Sequence, residues 1–124
     1  MFESEFLTSS ADSKQSYRQL ISRAAELVCE CFPSRAYSGA GVSDLAALVN
    51  GDLLPAQGLS SDQIAANFRS VVSNSVVVSD VGTIAHLHCP PLLASLAAEV
   101  VISALNQSMD SFDQAPIATM VEQK

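Results

Sequence analysis

Tryptophan is absent from this 124-residue sequence, and aromatic side chains make up only 6% of it. Any core must therefore be built from Leu, Val, Ile and Ala, small side chains that suit closely packed helices. Positive charge is also scarce. There are six Lys and Arg against thirteen Asp and Glu, a net charge of −7, and beyond Arg35 the only cations are Arg69 and Lys124. Neutralising a phosphate backbone requires a positive stripe, so nucleic-acid binding is excluded. A polybasic membrane surface is excluded by the same count.

Long uninterrupted apolar runs are missing as well. The N-terminus, Met-Phe-Glu-Ser-Glu-Phe-Leu, carries acids where a secretion signal carries bases. The most apolar stretch, 91–109, is broken by Ser95, Glu99, Ser103, Asn106 and Gln107, which argues against a membrane span. A cytoplasmic protein is the expectation. The cysteines number three, Cys29, Cys31 and Cys89, an odd count that argues against a disulfide framework. Cys29 and Cys31 form C-x-C, and two positions apart on a helix they point in different directions. They read as reduced thiols acting as small buried hydrophobes.

Hydrophobic residues make up 48% of the chain and charged ones 15%, so it is a folded segment and not a disordered tail. Residues 1–12 have no period and read as a flexible arm. From about Ser13, apolar residues at Tyr17, Leu20, Ile21, Ala24, Ala25, Val28 and Cys31 follow the three-four spacing of one helical face, and Pro33 stops it. A Ser-, Gly- and Ala-rich loop follows over 34–42. Ser43 then reads as the cap of a short helix carrying Leu45, Leu48 and Val49, with Gly51 as its stop. Ser60 and Gln63 have capping-box spacing and predict a third helix with Ile64, Ala65, Phe68, Val71 and Val72 on its apolar face. From about 75 to 90 the helical period disappears, and Val76, Val77 and Val78 favour an extended chain.

After Pro90 and Pro91 comes the strongest helix of the sequence, with Pro91 suited to its first turn. Its apolar residues, from Leu92 to Leu105, extend around almost the whole circumference. A helix apolar on all sides is a buried helix, and the other helices here are too modest to cover it. Pro116 opens a further helix with Ile117, Met120 and Val121, and the sequence ends at Lys124 with that face unfinished. The expectation is a mainly α segment of four to five helices with an irregular loop at about 75–90. Its apolar surface would be covered by a second subunit or by further sequence.

The chemistry-bearing residues concentrate in His86-Leu87-His88-Cys89-Pro90-Pro91, which holds both histidines and one cysteine. In an extended chain His86 and His88 would project to one side and Cys89 to the other. Three readings of this run compete. One is a zinc site, which needs a third or fourth ligand for which the sequence has no well-spaced partner. Another is a Cys–His nucleophilic pair, a geometry that sequence neighbours seldom reach. The last is a polar loop whose histidines cap backbone groups.

The wider pattern bears on the choice. The run Ala85–Pro91, the apolar helix, the stretch Asn106-Gln107-Ser108-Met109-Asp110-Ser111-Phe112-Asp113-Gln114-Ala115-Pro116 and Glu122 together resemble the N-terminal part of group II pyridoxal-phosphate (PLP) dependent decarboxylases. The nearest branch is that of L-2,4-diaminobutyrate and glutamate decarboxylases. The match is dense over 85–122 and looser over 60–84, where Ser73-Asn74-Ser75-Val76 echoes it; before 60 only the order of helices agrees. Ser79-Asp80-Val81 stands where the family usually has His-Pro, and Phe112 where it has Trp.

The resemblance implies the N-terminal helical segment of a fold-type I PLP enzyme, related in architecture to aspartate aminotransferase. It implies an intertwined homodimer, a cofactor of PLP in the full-length enzyme and an amino-acid substrate. Residues 13–124 would be a dimerisation and substrate-side segment, with self-association through the 91–109 helix and no nucleic-acid or membrane partner. His86, Leu87, His88 and Cys89 would fall in a loop on the substrate side. PLP decarboxylation needs a Schiff-base lysine and a phosphate cradle. The chain offers only Lys14 and Lys124 and no Gly-rich phosphate loop. The expectation is a segment without catalytic, cofactor-binding or metal-binding residues of its own, inactive alone and binding no PLP. The rival reading is a free-standing acidic helical interaction module that associates as a homodimer.

Overall fold

A computed structural model of the chain describes residues 6–49, 55–84, 87 and 89–124. Among them are five helices and no strand: α1 (Ala11–Cys31), α2 (Val42–Leu48), α3 (Ser61–Ser73), α4 (Leu93–Leu105) and α5 (Pro116–Glu122). They divide into two units, Met1–Pro90 and Pro91–Lys124.

In the first unit, α1 begins at Ala11, two residues earlier than the apolar spacing indicates. The cause is Ser10, whose hydroxyl accepts a hydrogen bond from the Ser13 amide at 3.2 Å. That bond satisfies one of the donors left free at a helix start. Ser13 is itself buried, and its hydroxyl accepts from Thr8 N at 2.7 Å and donates to Phe6 O at 2.9 Å. The stretch from Phe6 is thus tied back onto the first turn. At the other end α1 stops at Cys31, before Pro33.

The packing of α1 is against α3. Leu27, which lies one position beside the apolar stripe read from spacing, is the buried apolar residue of the pair, 2% exposed. Ile21 and Val28, within that stripe, are exposed. The helix is therefore turned so that Leu20, Leu27 and Cys31 flank α3. The cysteines do not behave as buried hydrophobes: Cys29 and Cys89 are exposed and Cys31 is half-buried, and all three are free thiols.

The capping box of α3 forms as its spacing indicates, with Gln63 N donating to Ser60 Oγ at 3.3 Å and Ser60 N donating to Gln63 Oε1 at 2.8 Å. In α2 the cap falls elsewhere. Gly41 is the N-cap, its amide donating to the Asp44 carboxylate at 2.9 Å, and Ser43 sits inside the first turn. A carboxylate at the third helical position satisfies a free donor as well as a capping hydroxyl does, and it favours the positive helix end. Gly51, read as the stop of this helix, lies outside the described residues.

In the second unit α4 starts at Leu93, after both prolines, and ends at Leu105. It is shorter than the 91–109 stretch read from its apolar pattern. Asn106 takes a left-handed conformation, φ 44°, and ends the helix there, its amide donating to Ile102 O. Apart from half-buried Ala104, every residue of α4 is exposed. Pro116 occupies the first turn of α5, and Ala115 before it is fully buried.

Many large apolar side chains among the described residues, from Leu20 and Phe68 to Leu93, Val101 and Met120, are exposed. No helix among the described residues is long and apolar enough to cross a membrane.

Candidate functional site

The stretch leading into the His-Leu-His-Cys run is held by a turn that the spacing of apolar residues did not indicate. Val76, Val77 and Val78 do not form an extended strand; Val78 and Ser79 belong to a turn. Val77 is the anchor. It is 6% exposed, and its amide donates to Ala36 O at 2.9 Å, tying this stretch to the connector after α1. Both lone pairs of its carbonyl are used, accepting from Asp80 N at 3.2 Å and from the Thr83 hydroxyl at 2.6 Å. The Asp80 carboxylate accepts from Gly82 N at 2.7 Å, and Asp80 O accepts from Thr83 N at 2.9 Å.

This arrangement follows from local chemistry. An Asp two residues before a Gly folds its carboxylate onto the intervening backbone, an Asx turn. Gly82 suits the turn because a Cβ there would lie 3.0 Å from Asp80 Oδ1, a tight contact, and 3.5 Å from the Ala36 Cβ, an ordinary one. The Asp80–Gly82–Thr83 spacing was the available signal in the sequence, although nothing in it indicates that the turn would pair with Ala36. The connector around Ala36 is pinned in turn. The Arg35 guanidinium donates to Ser38 O, Ala40 N donates to Ser38 Oγ at 3.2 Å, and the Tyr37 hydroxyl donates to Ala40 O at 2.8 Å.

Of the four residues read as a substrate-side loop, Leu87 and Cys89 are exposed, and His86 and His88 lie outside the described residues. Val81 and Ile84 are exposed on the turn itself. No group of three or more metal-ligating side chains occurs among the described residues. Lys14 and Lys124 are both exposed.

A second feature is the groove between α1 and α3, of 130 Å³, walled by Leu20, Leu27, Ile64 and Phe68 with Arg23 and Asp62 at its rim. At the C-terminal end of α1, the Arg69 guanidinium of α3 donates to Glu30 Oε2 at 3.1 Å and to Cys31 Sγ at 3.5 Å.

Comparison with known proteins decides what this segment is related to. The chain is 36% identical, over 97% of its length, to the L-2,4-diaminobutyrate decarboxylase of Rhizobium meliloti (strain 1021). The crystal structure of the glutamate decarboxylase domain of diaminobutyrate-pyruvate transaminase and L-2,4-diaminobutyrate decarboxylase from Vibrio parahaemolyticus matches 98% of it with a TM-score of 0.89 and 33% identity. The chain is homologous to a segment of the group II PLP-dependent decarboxylases. An L-2,4-diaminobutyrate decarboxylase from Acinetobacter baumannii is 47% identical over 51 residues, 41% of this chain and 10% of that protein. No family model matches the chain.

The chain spans about a quarter of the proteins it matches, 25% of the Rhizobium protein and 27% of the Vibrio chain. Its five helices correspond to the N-terminal helical region of a PLP decarboxylase domain.

Proposed function

We propose that this chain is the N-terminal segment of a PLP-dependent amino-acid decarboxylase, a carboxy-lyase acting on L-2,4-diaminobutyrate. Glutamate is the next candidate substrate. The observation that carries the reading is the 36% identity over 97% of the chain with a diaminobutyrate decarboxylase, supported by the fold match to a decarboxylase domain.

In the full-length enzyme PLP supplies an electron sink for the bond to the departing carboxylate. The residues of this segment do not fit that cofactor. Its two lysines are exposed, Lys14 in the first turn of α1 and Lys124 at the last position. A Schiff-base lysine works desolvated in a covered site. The segment's contribution is architectural: it forms part of a homodimer through the 91–109 stretch and contributes the loop of His86, Leu87, His88 and Cys89 on the substrate side. The support for the dimer is the surface of α4, where Leu93, Leu96, Val101 and Leu105 are exposed. Such a helix needs another protein surface to be stable in water. A cytoplasmic location accords with the free thiols.

The test is direct. The full-length polypeptide that carries these residues, supplied with PLP, should release carbon dioxide from L-2,4-diaminobutyrate faster than from glutamate or aromatic amino acids. Residues 1–124 alone should release none and should retain no PLP absorbance after desalting. A PLP band on the 124-residue chain that Lys14→Ala abolishes would overturn the architectural role.

A further inference from the structure

We infer that α4 lies on the two-fold axis of the homodimer and crosses its copy antiparallel at the level of Glu99, through the face that carries Ala94, Ala97, Val101 and Ala104. The inference rests on the self-association proposed above and specifies its geometry: which face meets, in which direction and in which register.

The observation that carries it is a symmetry within the helix. α4 is 13 residues long, Leu93–Leu105, so Glu99 is its midpoint. Outward from Glu99 in both directions, each pair is identical or of the same apolar kind: Ala98 and Val100, Ala97 and Val101, Leu96 and Ile102, Ser95 and Ser103, Ala94 and Ala104, Leu93 and Leu105. The limits of the helix are fixed from outside this pattern, by Pro90 and Pro91 before it and by left-handed Asn106 after it. The symmetry therefore belongs to the folded element.

A two-fold axis crossing a helix at its midpoint sets each residue against the one equally far on the other side of that midpoint. Leucine then meets leucine at both ends, and alanine meets alanine beside them. Such a pair is matched in width along its whole length. An unrelated surface places no common demand on the two halves of a helix, whereas a second copy presents the same pattern reversed.

Charge selects the face. At 3.6 residues per turn, Ser95, Glu99 and Ser103 form one line along α4. With that line turned inward, two Glu99 carboxylates would meet on the axis among apolar side chains, and no cation stands between Arg69 and Lys124 to separate them. The opposite face carries Ala94, Ala97, Val101 and Ala104 at three-four-three spacing, the seam of a helix pair. Ala94, Ala97 and Val101 are exposed, and Ala104 is half-buried. Side chains this small let two helix axes approach to about 8 Å.

The test places cysteines in the seam of the full-length polypeptide. Sedimentation gives the oligomeric state, and mass spectrometry of linked peptides separates the designed link from any through Cys29, Cys31 or Cys89. Coexpressed Ala97→Cys and Val101→Cys chains, oxidised with glutathione disulfide, should lose their monomer band into a dimer linked from position 97 to position 101. Like positions are offset by about 6 Å along an antiparallel pair, so each variant alone should link far less. Glu99→Cys, on the outer face, should stay unlinked. Links between like positions would mark a parallel pair, and efficient linking of E99C would put the polar line inward; either result overturns the inference. So does a homodimer by sedimentation in which no seam link forms, since the interface then lies elsewhere and the homodimer reading stands. A full-length protein that sediments as a monomer overturns the homodimer reading itself, and this inference with it.

Discussion

Arg69 of α3 and Glu30 of α1 form an ion pair at 3.1 Å, closing the end of the helix pair. Both side chains are about half exposed. The guanidinium also lies at the C-terminal end of α1, where positive charge is favoured by the helix dipole, and it reaches Cys31 Sγ.

Because the pair is solvated, Arg69→Ala should cost the α1–α3 contact only about 0.2–1 kcal/mol. Amide exchange in the last turn of α1 would speed up modestly, and high salt would reduce the difference. A loss of several kcal/mol would mean that the pair is buried by something outside this chain.

The reciprocal cap of α3 should matter more. Ser60→Ala removes the acceptor of the Gln63 amide and should cost about 1 kcal/mol. Gln63→Ala removes the return bond to Ser60 N. Exchange protection of the first turn of α3 is the measurement, and the two losses should be less than additive because they belong to one motif.

Gly82→Ala should strain the turn, since the new Cβ meets Asp80 Oδ1 at 3.0 Å. Removing the carboxylate relieves the clash, so the double variant Gly82→Ala with Asp80→Ala should be less destabilised than the sum of the two. A coupling of about 0.5–1.5 kcal/mol in a denaturation cycle is expected, and strict additivity would show that the clash is absorbed elsewhere.

Asn106 ends α4 at φ 44°. Asn106→Gly should be neutral or slightly stabilising, whereas Asn106→Val should cost about 1–2 kcal/mol because a β-branched side chain resists the left-handed region. Thermal melting of the full-length protein separates the two.

Residues 1–124 expressed alone should associate, with sedimentation or light scattering giving species above monomer mass. Leu96→Glu and Val101→Glu, both at exposed positions of α4, should reduce that association. A clean monomer at high concentration would remove the 91–109 stretch as a self-association surface.

The helices were legible in the sequence wherever local chemistry decides them. Ser60 with Gln63, Pro33, and Pro116 each act within a turn of their own position, and the structure follows them. The limits of α4 were less legible, because its apolar pattern runs on past Asn106 while the backbone there turns left-handed. The site was legible only as wording. The His-Leu-His-Cys run and the stretch after α4 point to the decarboxylases, while Leu87 and Cys89 are brought beside no other functional group among the described residues.

What the sequence determined by itself is therefore the local part: helix starts, an acidic surface unsuited to nucleic acid, and a helix too apolar to stand in water. Tertiary structure decided which flank of each helix is used. Leu27, not Ile21 or Val28, packs against α3, because amphipathic spacing defines a broad stripe and only the neighbouring helix selects a line within it. It also decided that Val77 lies buried against Ala36 across some forty residues of chain. A hydrogen bond between residues so distant leaves no periodic trace in the sequence, because its partner is set by how the chain returns on itself.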